Sequence, residues 1–189
     1  MPNNQSHKFH YNIKDRIKSQ DPNQILSLIG LENGMCFVDL GANDGYFSIP
    51  AAKIVGVEGL VYAIDPDAEA LKRLTKRGSK NHIDNIKAFE LSAEDLLPIS
   101  SCADIVFIGN ALHHFTDPLA GLMNAVKMLK PHGSIFNLDW KKTISNEGPP
   151  IDARLSEADV IRLCNKLGLK TRICDNFSNS HYLIKIWPT

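Results

Sequence analysis

The sequence lacks an excess of charge of either sign, a long hydrophobic run and a signal-peptide core. Lysine and arginine total 21, as do aspartate and glutamate, so no overall basic field attracts nucleic acid or an anionic membrane. No stretch approaches the roughly 18 to 20 apolar residues of a membrane span, and the segment from Met1 to Asp21 is polar. We therefore expect a cytoplasmic protein with no membrane span and no nucleic-acid substrate.

Closely spaced cysteines are also missing. Cys36, Cys102, Cys164 and Cys174 are far apart and form no C-x-x-C pair. Zinc sites need closer pairs or neighbouring histidines, so we expect no metal site. Cys36 and Cys102 lie in or just before apolar runs, where cysteine is usually a small buried hydrophobe.

The length of 189 residues suits one domain with a single core, and the sequence contains no internal repeat. We expect this domain at residues 31–189, preceded by a helical extension at 1–30 whose first residues, Met1 to Phe9, are disordered. Asp21 and Pro22 predict the N-cap and first position of the second of two helical pieces. The extension is either a lid over a substrate pocket or a packing helix.

The most informative stretch runs from Phe37 to Ser48, where an apolar run breaks at Gly41 and Gly45 and restarts with helical spacing. This pattern predicts strand, turn and helix, an arrangement that lets a nucleotide-type ligand lie against backbone near unpaired helix N–H groups. Both glycines can adopt positive φ and allow close approach. Asp39 adds a carboxylate at the strand end, which is unexpected for a pyrophosphate ligand.

The dinucleotide fingerprint requires glycines at its first, third and sixth positions. Gly41 supplies the first, but Asn43 and Tyr46 occupy the other two. A nicotinamide cofactor is therefore disfavoured.

The order Asp39, Gly41, Gly45 after an apolar strand resembles motif I, D-x-G-x-x-x-G, of the class I, seven-strand S-adenosylmethionine-dependent methyltransferases. The resemblance covers about Leu31 to Trp187 and is greatest to the type 11 enzymes related to ubiquinone and menaquinone biosynthesis. It implies a Rossmann-like, doubly wound α/β sheet of seven strands, mostly parallel with an antiparallel C-terminal hairpin strand. The implied cofactor is S-adenosyl-L-methionine, whose ammonium and sulfonium groups suit an acid at the strand end.

Alternating apolar runs and helical patterns predict the order of the elements. We expect strands at about 35–40, 60–64, 86–91, 103–108, 134–138, 169–174 and 181–187. Helices are expected at about 46–55, 68–76, 118–129 and 156–167, with caps at Asp117 and Ser156. A turn is expected at Lys130 to Gly133, similar to the family's L-K-P-G-G with His132 in place of a glycine.

The resemblance implies that Asp39 and the turn with Gly41, Asn43 and Gly45 hold the methionine end of the cofactor. Asp65 ends the second strand about 20 residues beyond the turn, where an acid can accept hydrogen bonds from both ribose hydroxyls. Asp65 could instead cap the next helix, although Asp67 is the better cap.

Two further contacts to adenine follow from the resemblance. Pro66, directly after the ribose acid, would lie against the ring. Ser92, Ala93 and Glu94 correspond to the family's third loop, commonly D-A-x-x-L-P. Because Ser92 stands at the position of the acid, either Glu94 or Asp95 substitutes for it or Ser92 makes the contact itself.

The loop after the fourth strand would face both the methionine end and the acceptor. Asn110 and Ala111 are implied cofactor contacts, and His113 and His114 are candidate catalytic bases because imidazole accepts a proton at neutral pH. Alternatively, one histidine packs against the following helix. Since consecutive residues of a helix point apart, only one is expected to face the cleft.

These patterns predict a methyltransferase that moves a methyl group by in-line displacement to an unidentified small-molecule acceptor. The loop from Lys141 to Asp152 is the expected substrate-side loop. Two other functions remain open: a non-catalytic partner that keeps the fold to bind another protein, and, less favoured, a nicotinamide oxidoreductase.

Overall fold

The protein was analysed as a computed structural model that describes residues 13–95, 98–145, 147–174 and 177–189, with side chains from Arg16 onward. The expected disorder of Met1 to Phe9 lies outside these residues. In the described part of the chain, no helix combines the length and apolar character needed to cross a bilayer.

Within these described ranges, seven strands form one sheet with the order β3-β2-β1-β4-β5-β7-β6. Strands β1 to β5 are mutually parallel, and β7 runs antiparallel to both of its neighbours. This arrangement confirms the predicted fold class and the C-terminal hairpin. The strands are β1 Cys36–Leu40, β2 Leu60–Asp65, β3 Ile86–Glu90, β4 Ala103–Gly109, β5 Leu129–Trp140, β6 Lys170–Ile173 and β7 His181–Trp187.

The described residues form six α-helices and two short 3₁₀ helices, of which α1 and α2 precede β1 and the others lie between strands. Side chains of Asp21, Asp67, Asp117 and Ser156 accept hydrogen bonds from backbone N–H groups at four helix starts, which confirms these predicted caps. The α-helices are α1 Ile13–Ser19, α2 Pro22–Leu28, α3 Ser48–Val55, α4 Ala68–Lys80, α5 Pro118–Met128 and α6 Glu157–Lys166, and the 3₁₀ helices are Leu112–His114 and Ile151–Ala153.

The central strands are buried on both faces. On one face Val106 and its neighbours pack against α5 and α6, for example at Leu122 and Val160. On the other face Phe107 packs in a cluster that includes Leu26 of α2 and residues of α3. Side chains alternate between the two faces along a strand. A strand that is buried on both faces therefore needs a continuous apolar run.

Two predicted boundaries were wrong. Helix α4 continues through Gly78 to Lys80, because Asn81 ends it by donating from its side chain to the carbonyl of Arg77. The expected turn at Lys130 to Gly133 lies within β5, which pairs with β4 at Leu129 and resumes regular pairing at Ser134 after a register shift.

Two further expectations also need correction. Helix α3 begins at Ser48 and not at Tyr46. Cys36 and Cys102 are only half-buried, with their Sγ atoms 3.9 Å apart, because both lie at the amino edge of the sheet and not in its centre.

Candidate functional site

The carboxyl ends of β1, β2, β4 and β5 meet at one edge of the sheet. Strand β1 has β2 on one side and β4 on the other, so the chain connections leave it in opposite directions. This point, where the strand order reverses, is where open α/β sheets bind ligands. The predicted site residues lie on the loops that follow these strands.

Gly41 brings the turn after β1 against the loop after β4. Its φ is +90°, and a Cβ placed on it would lie 2.4 Å from Cβ of Ala111. The turn is tied to β2, since the Gly41 N–H donates to the carbonyl of Ile64 at 2.8 Å. Only glycine satisfies both the backbone angle and this close approach.

Asp39 is buried at the end of β1, with 2% of its surface exposed. The Ser48 hydroxyl at the start of α3 donates to its Oδ2 at 2.5 Å. Burial raises the pKa of Asp39 to about 7, against the lowering effect of the Ser48 hydrogen bond; Asp65 adds to the rise and Arg16 opposes it. The site therefore contains a carboxyl that titrates near neutrality.

Asp65 joins two loops at the mouth of the crevice. Its Oδ2 accepts the N–H of Asn43 at 2.8 Å and its Oδ1 accepts the N–H of Asp67 at 2.9 Å. Burial raises the pKa of Asp65, whereas these two backbone hydrogen bonds lower it. Asp67 caps α4, so Asp65 is not needed as its cap, and Pro66 between them is exposed.

Gly45 and Asn43 shape the turn between the two acids. Both have positive φ, +83° and +47°. A Cβ on Gly45 would lie 2.8 Å from Cγ of Leu74, so the missing side chain lets the turn approach α4 closely. The turn thus presents backbone beside two buried carboxyl groups.

The loop after β3 is held by its own side chains. The Ser92 hydroxyl donates to Glu94, whose other carboxylate oxygen accepts the N–H of Asp117 at 3.1 Å. Ala93 is buried, and its carbonyl accepts from the side chain of Asn124 at 3.0 Å. The carboxylate of Glu94 thus supports the start of α5, and a contact of this loop with adenine stays a prediction.

Asn110 follows β4 with a φ of +53°. Its N–H donates to the carbonyl of Leu138 at 2.7 Å, and its Nδ2 donates to Oε1 of Gln20 at 2.6 Å. Its Oδ1 is buried and has no hydrogen-bond partner among the described residues. Because such an acceptor is costly to leave unpaired, the position suits a ligand that brings a donor.

His113 and His114 lie on the 3₁₀ helix after β4 and have different surroundings. Nδ1 of His113 is 2.8 Å from Oδ1 and 3.0 Å from Oδ2 of Asp139, and both side chains are almost fully buried. His114 is exposed, with its ring centroid 4.0 Å from that of His113. Partial burial, followed by the proximity of His113, lowers the pKa of His114. The catalytic role of either histidine stays a prediction.

Sequence reasoning missed Gln20, which docks the N-terminal segment at the mouth of the site. Only 1% of its surface is exposed, and its Nε2 lies 2.7 Å from Nε2 of His181. Its backbone carbonyl accepts from the Tyr46 hydroxyl at 2.8 Å, and the guanidinium of Arg16 lies 3.8 Å from the centroid of the Tyr46 ring. A neutral polar residue with such distant partners leaves no local pattern in the sequence.

Sequence reasoning also missed Arg154, which binds the loop after β5 that the sequence predicts to face the substrate. The residue is 97% buried, and its guanidinium donates to the carbonyls of Pro149, Lys141 and Thr143 at 2.8 to 3.1 Å. The same group lies 5.2 Å from the ring centroid of Trp140. The described part of this loop is therefore fixed next to the end of β5.

Comparisons with known proteins agree with this geometry. The methyltransferase domain family model matches residues 31–178. A crystal structure of a SAM-dependent methyltransferase from Aquifex aeolicus is 25% identical and covers 91% of this chain and 92% of that chain, with a TM-score of 0.85.

Three curated relatives differ in their acceptors. A protein of Sulfurisphaera tokodaii described as a probable cobalt-precorrin-6B C(15)-methyltransferase (decarboxylating) is 29% identical over 77% of this chain and 75% of its own length. The ubiquinone/menaquinone biosynthesis C-methyltransferase UbiE of Marinomonas sp. is 27% identical over 62% of this chain and 47% of its own length. The 23S rRNA (uracil(1939)-C(5))-methyltransferase RlmD of Aliivibrio salmonicida is 28% identical over 60% of this chain and 25% of its own length.

The chain thus spans about three quarters of the first relative but half or less of the other two. The family match covers most of the chain, and the sheet order and the Gly41 turn agree with it. The chain therefore belongs to the methyltransferase domain family, in its class I, seven-strand form.

Proposed function

We propose that the chain transfers a methyl group from S-adenosyl-L-methionine to a small-molecule acceptor. The observation that carries the proposal is the placement of two buried carboxyl groups, Asp39 and Asp65, around the Gly41 turn. A cation stabilises the charged form of a buried acid such as Asp39, and an acid at the end of β2 such as Asp65 can accept hydrogen bonds from ribose hydroxyls. The match to a SAM-dependent methyltransferase along nine tenths of the chain supports the same conclusion.

The proposed contacts follow the order of the loops. Asp65 would accept hydrogen bonds from the ribose, since each carboxylate oxygen keeps acceptor capacity beyond its present backbone bond. The unpaired Oδ1 of Asn110 would accept a hydrogen bond from the methionine ammonium. The exposed ring of Pro66 is available for adenine. The residues proposed to hold the cofactor are Asp39, Gly41, Asn43, Gly45, Asp65, Pro66, Ser92, Ala93, Glu94, Asn110 and Ala111.

When bound, the cofactor supplies an electrophilic methyl group on a positively charged sulfur. The chain then has to align the acceptor and exclude water, and proximity alone can supply about 7 to 11 kcal/mol. The N-terminal segment, held by Gln20 at the mouth, would exclude water as a lid. His114 is exposed, and its lowered pKa keeps the imidazole neutral and able to take a proton from a protonated acceptor.

We propose a small molecule as acceptor because the chain carries 21 basic and 21 acidic side chains. Binding to RNA relies on cationic side chains that neutralise phosphates, and this balance provides no general excess of them. Methyl-transfer assays distinguish a small-molecule acceptor from an RNA acceptor. They use labelled cofactor with a small-metabolite extract and, separately, with purified ribosomal RNA. Labelling of the RNA alone would contradict the small-molecule proposal.

Calorimetric titration with S-adenosyl-L-methionine, its demethylated product and NAD tests the cofactor. We expect the first two to bind and NAD not to bind. Asp65→Asn is expected to weaken binding about tenfold or more, because a hydrogen bond to a charged group is lost, whereas the exposed Asp152→Asn should have no effect. Absence of binding to the wild-type protein would reject the catalytic proposal and favour a binding partner that keeps the fold.

A further inference from the structure

A second cavity lies at the opposite edge of the sheet from the Gly41 turn. It has a volume of about 410 Å³, within the range of small-ligand sites. It is bordered by the amino ends of β4 and β5, the end of α2 and the second half of β7. The proposed cofactor contacts line none of it. Its lining residues are Ile29, Gly30, Met35, Asp104, Ile105, Lys130, Pro131, His132, Gly133, Ser134, Phe136 and Lys185.

One side of the cavity is apolar. Ile29 at the C-cap of α2, Ile105 of β4 and Phe136 of β5 are each at least 94% buried and belong to the same hydrophobic cluster. The parts of these side chains that line the cavity are apolar and suit a hydrocarbon body.

The cavity also contains a positive charge that the protein does not balance. Lys130 is paired with Asp104, whose Oδ2 lies 2.7 Å from its Nζ and also accepts the N–H of Cys36. Lys185 stands opposite Phe136 in the β5–β7 register, with its Nζ 5.7 Å from the centroid of that ring. No carboxylate among the described residues lies within ion-pair distance of Lys185. The charges of Lys130 and Asp104 cancel, so the charge of Lys185 remains as one net positive charge in the cavity.

A hydroxyl adds a second polar group to the cavity. Ser134 is 91% buried and lines the cavity, on the same face of β5 as Phe136. Within the described part of the chain its hydroxyl has no hydrogen-bond partner. Because Ser134 lines the cavity, its hydroxyl is available as a donor to a ligand.

We infer that this cavity binds a small carboxylate with a hydrocarbon body, its charged end between Lys185 and Ser134 and its body against Ile29, Ile105 and Phe136. One unbalanced cation favours a monoanion, because a phosphate dianion would leave negative charge unpaired next to an apolar wall. His132, exposed on the rim, adds an imidazole at the entrance. The inference does not rest on the proposed methyl transfer.

Titration of the ¹⁵N-labelled full chain with hexanoate, hexylamine and hexanol tests it. We expect hexanoate to shift the amide resonances of Gly133, Ser134 and Lys185 in a saturable way. The amine, which lacks the negative charge, should leave these resonances unchanged, and the alcohol should bind more weakly than hexanoate.

Lys185→Gln should raise the Kd for hexanoate about tenfold or more, because a charge-assisted contact is lost. Ser134→Ala should raise it a few-fold, and Lys166→Gln, an exposed lysine on α6, should not change it. Equal responses to hexanoate and hexylamine, no saturable shift, or an unchanged Kd in Lys185→Gln would each overturn the inference. Calorimetry with S-adenosylhomocysteine on the same samples reports the cofactor site separately.

Discussion

The Ser48 hydroxyl donates a 2.5 Å hydrogen bond to Asp39, a carboxyl whose pKa burial raises to about 7. The bond stabilises the ionised form but does not overcome the loss of solvation. Ser48, the first residue of α3, thereby lowers the pKa of Asp39 in β1. Protonation of this site near neutral pH therefore follows from burial of Asp39, and Ser48, nine positions further along the chain, limits the rise in pKa.

Binding of the cationic cofactor should therefore strengthen with rising pH. Asp39 is mostly protonated below its pKa, and a nearby cation binds better to the ionised form, so affinity should fall by up to about tenfold per pH unit below about 7. Calorimetry between about pH 6 and 8 measures this dependence. In Asp39→Asn the dependence should disappear, and in the exposed Asp84→Asn it should persist. Equal wild-type affinities across the range would contradict the prediction.

Gly41→Ala tests the close approach of the two loops. The new Cβ would clash with Ala111, and the alanine backbone would have to adopt a φ near +90°. The matched control is Gly34→Ala, where φ is +81° and no atom lies within 4 Å of the new Cβ. We expect Gly41→Ala to lower the free energy of unfolding by about 1 to 3 kcal/mol more than the control. Urea denaturation measures the difference, and equal losses would show that the contact with Ala111 costs nothing.

His181 should make stability depend on pH. Burial, with smaller effects of Arg16, Arg154 and Lys141, lowers its pKa to about 3 in the folded state. The unfolded chain binds a proton to this residue below about pH 6.5, so the folded state loses up to about 1.4 kcal/mol per pH unit between about 6.5 and 3.

Comparison of urea unfolding of the wild type and His181→Gln at about pH 5 and 7 isolates this effect. Asp39 is present in both proteins, so the effect of its titration on the free energy of unfolding cancels when the two are compared. The variant should lose relatively little stability on acidification. A wild type that loses no more stability than the variant would contradict the assignment.

Gln20→Leu should release the N-terminal segment. The change leaves the amide of Asn110 and the ring nitrogen of His181 without their partner, which costs about 1 to 3 kcal/mol of docking free energy. Hydrogen exchange should accelerate in residues 13–20, whereas the exposed Gln24→Leu should leave it unchanged. Equal exchange in both variants would show that this side chain does not hold the segment.

The sequence predicted the sheet because its signals are local and repeated. Most of the strands are apolar runs, and the caps at Asp67 and Ser156 are polar residues next to their helices. Gly78 misled the prediction of the end of α4, because the cost of about 1 kcal/mol for a glycine in a helix is outweighed by the cap at Asn81. Helix propensity alone therefore predicts a helix end poorly where a residue further along the chain supplies the hydrogen bond that caps the helix.

The site was predicted less completely, because many of its contacts join residues far apart in the chain. The positions of Asp39 and Asp65 follow from strand ends, and sequence reasoning placed them at one edge of the sheet. Asp139, the partner of His113, and Gln20, the partner of Asn110, carry no motif of their own. Only the folded sheet brings these pairs together.

The hydrogen bond between Gln20 and His181 can form only after the ribosome has made the chain that separates the two residues. The two residues are 161 positions apart, and His181 begins β7, which inserts between β5 and β6. At about 5 to 20 residues per second, a ribosome needs on the order of ten seconds to make the intervening chain. Throughout that time the N-terminal segment has been made but lacks this docking partner, so it can bind only Tyr46 and Asn110 until β7 begins to form.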